Sequence, residues 1–258
     1  MKKIILPNFY ESFSCNQILS QEFLTTKPLY GVSGAFPFSI FTGENNNNKY
    51  CELVVYEDVI NILRSYGPLN DFMIIDCTNL NLILTDYKDS FNKMVFESIS
   101  DKENVYFSIA DINLAEYLIK TYPKVQLILD TNYTIFHSNE EIENVIKKLG
   151  NNLKYIIVSN KNLCRKINFP KIYKVFLTEC SFCMQYLRCV KQENERILTY
   201  SEKSSFENCS LIQQYSANNI LTEIKNIPKD IEIVMFSSIN KSIEEESYSL
   251  LEQVIKEI

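Results

Sequence analysis

The chain alternates short runs of apolar, β-branched residues with longer segments in which apolar residues recur every three or four positions. The first pattern is typical of strands covered on both faces, and the second of helices with one buried face. Their regular alternation predicts parallel βα units. Strands are predicted at 72–77, 105–109, 125–130, 155–159, 173–178 and 231–236, with a first strand near 29–32.

Capping residues mark where the helices begin and end. Ser138 and Glu141 form a capping box, and the apolar stripe that follows them stops at Gly150. Ser242 and Glu245 repeat this signal before the last helix. Further helices are predicted at 112–122, at 217–225 and, before a Gly-Pro breaker, at 59–66. No linker divides the 258 residues, which is the usual size of an eight-fold barrel. We therefore predict one α/β domain over 1–258, a single TIM-like (β/α)8 barrel that is regular, distorted or incomplete.

Polar residues follow most of the predicted strands, among them Asp76, Asp130 and Glu179. In a parallel barrel the carboxyl ends of the strands share one rim, and barrel enzymes place their chemistry there. We therefore predict that these three carboxylates are catalytic acid–base groups or substrate anchors. The alternative for each of them is a helix cap or a lysine partner.

A cysteine cluster comes directly after the predicted strand at 173–178. Its first two members form a CxxC turn, Cys180-Ser181-Phe182-Cys183, which lets two thiolates converge on one metal ion. Sets of thiolates suit zinc or iron–sulfur, and the irregular spacing to the remaining two favours iron–sulfur, with zinc as the alternative. Free thiols or a redox dithiol are the non-metal interpretation. The sequence thus predicts a metal-binding insertion at about 179–210 with the ligands Cys180, Cys183, Cys189 and Cys209.

The other four of the eight cysteines are assigned different roles. Cys77 ends a predicted strand and is the substitute ligand if Cys209 is not one. Cys15, Cys51 and Cys164 are expected to be small buried hydrophobic residues.

Charge and hydropathy narrow the range of partners. The net charge of −6 argues against a general affinity for nucleic acid. One stretch opposes that average, since 147–174 contains eight basic residues, Lys174 being the last, and no acidic one. It is interpreted as a solvated face or as a site for an anionic ligand. The apolar stretch near Met1 is shorter than a signal peptide is expected to have, and no apolar run approaches the roughly 18 residues that a membrane span needs. A cytoplasmic protein without a membrane partner is expected.

The order of several segments resembles the collagenase-like U-thirty-two peptidase superfamily. The similar segments are Tyr30-Gly31-Val32-Ser33-Gly34-Ala35-Phe36-Pro37, Ile157-Val158-Ser159, and a strand that leads into Glu179 and the CxxC turn. The resemblance implies a TIM-like barrel with a four-iron four-sulfur cluster on Cys180, Cys183, Cys189 and Cys209. It also implies oxygen-independent hydroxylation, as in members that act on ubiquinone precursors or ribosomal RNA, and a partner subunit. Met184 stands where the family has proline, and Gly43-Glu44-Asn45 where Gly-Gly-Arg is expected, so substrate recognition should differ.

Other chemistries have less support in the sequence. His137 is the single histidine, and no GxSxG elbow, Walker loop or GxGxxG motif accompanies it. We therefore expect an iron–sulfur enzyme that carries out a redox modification or oxygen-independent hydroxylation. The sequence does not identify the substrate, and an anionic one is among the candidates. The alternatives are a non-catalytic accessory barrel with a structural metal site, and a peptidase-like hydrolase that uses His137.

Overall fold

Eight parallel strands close a barrel in the computed structural model, which describes residues 2–10, 13–23, 25–36, 39–41, 61, 64–65, 72–80, 82–132, 138–159, 167–179, 213–237 and 244–258. The strands of the barrel are β1 (Lys3–Leu6), β2 (Leu29–Gly34), β3 (Met73–Cys77), β4 (Val105–Ile109), β5 (Leu127–Asp130), β6 (Leu153–Val158), β7 (Lys171–Val175) and β10 (Ile233–Phe236). Going round the barrel, the order is β1, β10, β7, β6, β5, β4, β3, β2. The predicted TIM-like fold is confirmed.

Helices follow most of the strands and cover the outside of the barrel. They are α1 (Phe13–Phe23), α2 (Ser90–Ile99), α3 (Ile112–Thr121), α4 (Asn139–Leu149), α5 (Ala217–Lys225) and α6 (Glu244–Glu257). Their buried faces join the outward side chains of the strands in one large apolar cluster, to which Leu118 of α3 and Leu251 of α6 contribute. None of the helices in these residue ranges is long and apolar enough to cross a membrane.

A second apolar cluster fills the interior of the barrel. Side chains alternate between the two faces of a strand, so every second residue points inward. At mid-height the interior holds one isoleucine from each of four alternate strands, namely Ile5, Ile74, Ile128 and Ile172. This matches the usual layered filling of such barrels, in which a layer takes four side chains from alternate strands.

Aromatic rings close the amino-terminal end of the barrel. Phe72 stacks on Tyr106 with ring centroids 4.3 Å apart and contacts Tyr30 and Tyr155 at 5.1 and 5.5 Å. The ammonium of Lys3 lies 4.5 Å from the ring centre of Tyr30. The interior is therefore a packed core at this end, and chemistry is left to the opposite, carboxyl end of the strands.

Gly31 allows β2 and β3 to approach each other closely. A Cβ added to it would lie 1.8 Å from the backbone oxygen of Phe72. That oxygen accepts a hydrogen bond from the backbone N–H of Val32 at 3.0 Å. Any side chain at position 31 would push the two strands apart.

A short antiparallel ribbon extends from the end of β7. β8 (Thr178–Glu179) pairs with β9 (Gln213–Gln214), with Thr178 opposite Gln214 and Glu179 opposite Gln213. The backbone N–H of Tyr215 also donates to the carbonyl oxygen of Leu177 at 3.0 Å. Glu179 and Gln213, the residues that flank 180–212, thus lie side by side beyond the carboxyl end of β7.

The sequence predicted most of these elements. The helix at 217–225 has the predicted bounds, and α4 begins at the predicted cap, where the Ser138 hydroxyl accepts from the backbone N–H of Glu141. β1 was not predicted as a strand. Most of the predicted helix at 59–66 lies outside the described residues, as does the Ser242 cap.

Candidate active site at the carboxyl end of the barrel

Three charged side chains lie in the interior directly above the isoleucine layer. Asp76, Asp130 and Lys174 each stand two positions after an interior isoleucine, on β3, β5 and β7 respectively. By the alternation of side chains they share the inward face. All three are buried, with 9%, 1% and 2% of their surfaces exposed. We call these three residues the charged layer.

Lys174 and Asp130 form a buried ion pair within the charged layer. The Lys174 Nζ lies 3.6 Å from the Asp130 Oδ2, and the two side chains are 3% and 2% exposed. Removing two charges from water costs several kcal/mol per ion, and their attraction repays this only when the geometry is good. Such a pair is thus a weak source of stability, although leaving either charge alone would be costly.

Asn132 holds the other oxygen of Asp130. The Asp130 Oδ1 accepts hydrogen bonds from the backbone N–H of Asn132 at 2.9 Å and from its side-chain amide at 2.8 Å. The Ser159 hydroxyl in turn donates to the Asn132 Oδ1. The serine thereby helps to hold the amide in place beside Asp130.

Tyr173 supports the end of β6 from outside the barrel. Its hydroxyl lies 3.1 Å from the backbone oxygen of Ser159 and 3.2 Å from the Glu223 Oε1 on α5, both of which are acceptors. Thr131 adds a hydrogen bond from its hydroxyl to the backbone oxygen of Ile157 at 2.7 Å. The loops after β5 and β6 are therefore joined to each other and to a helix.

Asp76 is held at the end of β3. Its Oδ1 accepts from the backbone N–H of Thr78 at 3.2 Å. The next residue, Asn79, donates its backbone N–H to the oxygen of Phe41 at 2.8 Å and its side-chain amide to the oxygen of Ile40 at 2.7 Å. These bonds join the end of β3 to the loop that follows β2.

The structure brings together two of the three predicted carboxylates and adds a lysine. Asp76 and Asp130 lie in the interior at the carboxyl ends of their strands, as expected. Glu179 lies in the β8–β9 ribbon, and its side chain is outside what the structure describes. Sequence reasoning grouped Lys174 with a basic stretch, and a solvated face is wrong for this residue because it is buried. The signal that could have identified it is its position two residues after Ile172 in an apolar strand.

Cys77, the predicted substitute ligand, is buried at the end of β3. It packs in the apolar cluster between barrel and helices and is 2% exposed. Burial raises the pKa of its thiol well above the ordinary value, and the charge of Asp76 adds to the effect. Without a metal ion, Cys77 is therefore expected to be a neutral thiol. The form of cysteine that binds metal is the thiolate.

The predicted cysteine ligands Cys180, Cys183, Cys189 and Cys209 lie outside the described residues, as do His137, Cys51 and Cys164. Within the described ranges, no group of three or more His, Cys, Asp or Glu residues is arranged to hold a metal ion. Cys15, expected to be buried, is half-buried on α1.

Solved structures of other proteins share the barrel. An F420-dependent secondary alcohol dehydrogenase, in complex with an F420–acetone adduct, aligns with a TM-score of 0.53 at 8% identity over 99% of this chain and 98% of that one. A U32 peptidase aligns with a TM-score of 0.53 at 14% identity over 93% of this chain and 94% of that one. At these identities the similarity shows the fold alone. No protein-family model matches the sequence, and no curated protein matches it.

Proposed function

We propose that the protein is an enzyme that carries out a redox modification of a small substrate at the charged layer. In this proposal an iron–sulfur cluster on Cys180, Cys183, Cys189 and Cys209 serves the same end of the barrel. The observation that carries it is the buried pair of Lys174 and Asp130, 3.6 Å apart at the carboxyl end of the strands. Such a pair contributes little to stability, and this is the end at which barrels of this type hold their active sites.

The β8–β9 ribbon supports a link between the cysteines and the charged layer. Cys180 directly follows Glu179, and Cys209 precedes Gln213 by a few residues, while Glu179 and Gln213 are paired. Paired residues of antiparallel strands have Cα atoms about 5 Å apart, so the chain can bring these two cysteines near each other. Four thiolates are also a donor set that suits an iron–sulfur cluster, with zinc as the alternative.

The residues of the barrel would bind and orient the substrate. Lys174 offers N–H donors to a substrate oxygen, and Asp130 keeps the lysine in place. Asp76, on the opposite side of the interior from Lys174, supplies a carboxylate that can accept a hydrogen bond or a proton. When bound, the cluster would supply one-electron transfer to or from the substrate. Oxygen-independent hydroxylation is the version of this reaction that the family resemblance suggests.

Anaerobic purification tests the metal part of the proposal. The wild type should be brown and contain iron and acid-labile sulfide, and Cys183→Ser should lose both. Cys15→Ser is the matched control because Cys15 lies on α1, and it should retain the cluster. A colourless wild type without iron would contradict the redox function. Zinc in its place, with no redox couple, would favour the accessory barrel with a structural metal site.

The midpoint potential tests whether the cluster senses the charged layer. Removing a nearby positive charge disfavours the reduced state, so Lys174→Met should lower the potential, and Asp130→Asn should raise it. Lys93→Met is the control, since that side chain is 60% exposed on α2 and should leave the potential unchanged. If all three variants keep the wild-type potential, the cluster is remote from the charged layer and the proposed active site is wrong.

A further inference from the structure

The neighbours of Asp130 influence which protonation state of its carboxyl group is favoured. The Asp130 Oδ1 accepts two N–H bonds from Asn132, at 2.9 and 2.8 Å. The Oδ2 faces the Lys174 ammonium at 3.6 Å. All of these neighbours are donors, and hydrogen bonds to the charged form of a carboxyl group favour that form.

We propose that Asn132, oriented by Ser159, is a positioning residue that locks Asp130 as a carboxylate and so keeps the proton of the pair on Lys174. The inference rests on the proposed active site. It assigns the two members of the pair different roles, with Asp130 as the fixed anion and Lys174 as the group that can give a hydrogen bond or a proton to the substrate.

Asp130 and Ser159 together hold the Asn132 amide in one orientation. An asparagine side chain has a donor end and an acceptor end, and rotation by half a turn exchanges them. A carboxylate only accepts hydrogen bonds, so the NH₂ end is directed at Asp130, and the Ser159 hydroxyl donates to the amide oxygen at the other end. With the amide reversed, two oxygens would face each other, and the carboxyl group would favour its protonated form.

The same arrangement occurs at a place where it only caps a helix. Asp89 precedes α2, and its Oδ1 accepts from the backbone N–H and the side-chain amide of Asn92 at 2.9 and 2.7 Å. The Ser39 hydroxyl donates to the Asn92 Oδ1 at 2.7 Å. No lysine is paired with Asp89 among the described residues, whereas Asp130 faces Lys174 inside the barrel. Asp89 and Asn92 can therefore serve as a control within the same chain for Asp130 and Asn132.

The test is a titration of the full-length protein labelled with ¹³C at the aspartate carboxyl carbons and ¹⁵N at the lysine Nζ atoms. Asp130→Asn and Lys174→Met assign the two signals. In the wild type, Asp130 should remain a carboxylate and Lys174 an ammonium at neutral pH. In Asn132→Leu, the protonation midpoint of Asp130 should move up by about one pH unit, a tenfold gain in proton affinity. Lys174 and Asp76, the other two members of the charged layer, are unchanged in this variant.

Ser159→Ala and Asn92→Leu complete the experiment. Ser159→Ala releases the amide without removing it, so a smaller upward shift is expected, and this variant decides the matter if Asn132→Leu does not fold. Asn92→Leu should leave the Asp130 signal unchanged. A protonated Asp130 in the neutral wild type, or an unchanged midpoint in both site variants, would overturn the inference. Since the titration needs neither iron nor substrate, its result is independent of whether the redox function holds.

Discussion

The buried ion pair makes a quantitative prediction about stability. At 3.6 Å and an effective dielectric constant of about 20, the attraction between Lys174 and Asp130 is roughly 5 kcal/mol, before the cost of desolvation. Removing one partner leaves an uncompensated charge in the interior, which typically costs about 3–5 kcal/mol. Lys174→Met should therefore lower the free energy of unfolding by about 3 kcal/mol or more at neutral pH.

A double-mutant cycle separates the pair from the packing of each side chain. The double variant Lys174→Met/Asp130→Asn removes both charges and should be more stable than Lys174→Met alone, with a coupling energy of about 2–3 kcal/mol. Urea unfolding in anaerobic buffer, followed by circular dichroism, measures all four proteins.

An exposed pair provides the control for this cycle. Lys148 and Glu116 approach to 2.5 Å, but their side chains are 54% and 43% exposed. Lys148→Met should cost no more than about 1 kcal/mol, because solvent screens exposed pairs. The shorter but exposed pair would then contribute less to stability than the longer but buried pair, so burial rather than distance would determine the cost of removing the lysine. If Lys174→Met costs no more than Lys148→Met, the reasoning about the charged layer is refuted.

Three further predictions concern the barrel itself. Gly31→Ala should abolish folding or lower the melting temperature severely, because its Cβ would overlap the backbone of β3, whereas Gly150→Ala, with φ of 55° and no atom near its Cβ, should cost only about 1 kcal/mol. Tyr248→Phe should cost about 1–3 kcal/mol in urea unfolding, since the buried Asn16 Oδ1 loses the hydroxyl that donates to it at 3.1 Å. Burial, with smaller contributions from neighbouring tyrosines, raises the pKa of Tyr106 to about 12, above the roughly 10 of an unfolded tyrosine. The folded state should therefore lose stability as pH rises from about 10 to 12, and thermal melts of Tyr106→Phe should show a smaller loss.

Much of the barrel could be predicted because its strands are buried on both faces. In the sequence such strands are nearly continuous apolar runs. The predicted strand at 105–109 has the same bounds in the structure. β1 was missed because only four residues, Lys3–Leu6, precede a proline, and so short a run carries little signal. The Leu29–Gly34 strand was placed correctly at its start, although it continues two residues further than predicted.

The charged layer could be predicted only in part. Asp76 and Asp130 follow apolar runs, so their place at the rim was evident. Lys174 was concealed by the basic residues before it, and its pairing with Asp130 depends on the closure of the barrel, which local sequence does not encode. Asn132 and Ser159 lie at the ends of predicted strands, but their hydrogen bond joins two separate loops and becomes visible only in three dimensions.

The β8–β9 ribbon has a consequence for how this protein could change over time or be engineered. Because Glu179 and Gln213, which flank residues 180–212, are paired in neighbouring strands, the ribbon forms a stem at which that stretch of sequence could be exchanged. A tight two-residue turn could join Glu179 to Gln213 with the hairpin geometry already in place. Such a truncated chain would keep every strand of the closed barrel, and other inserts could be grafted onto the same stem.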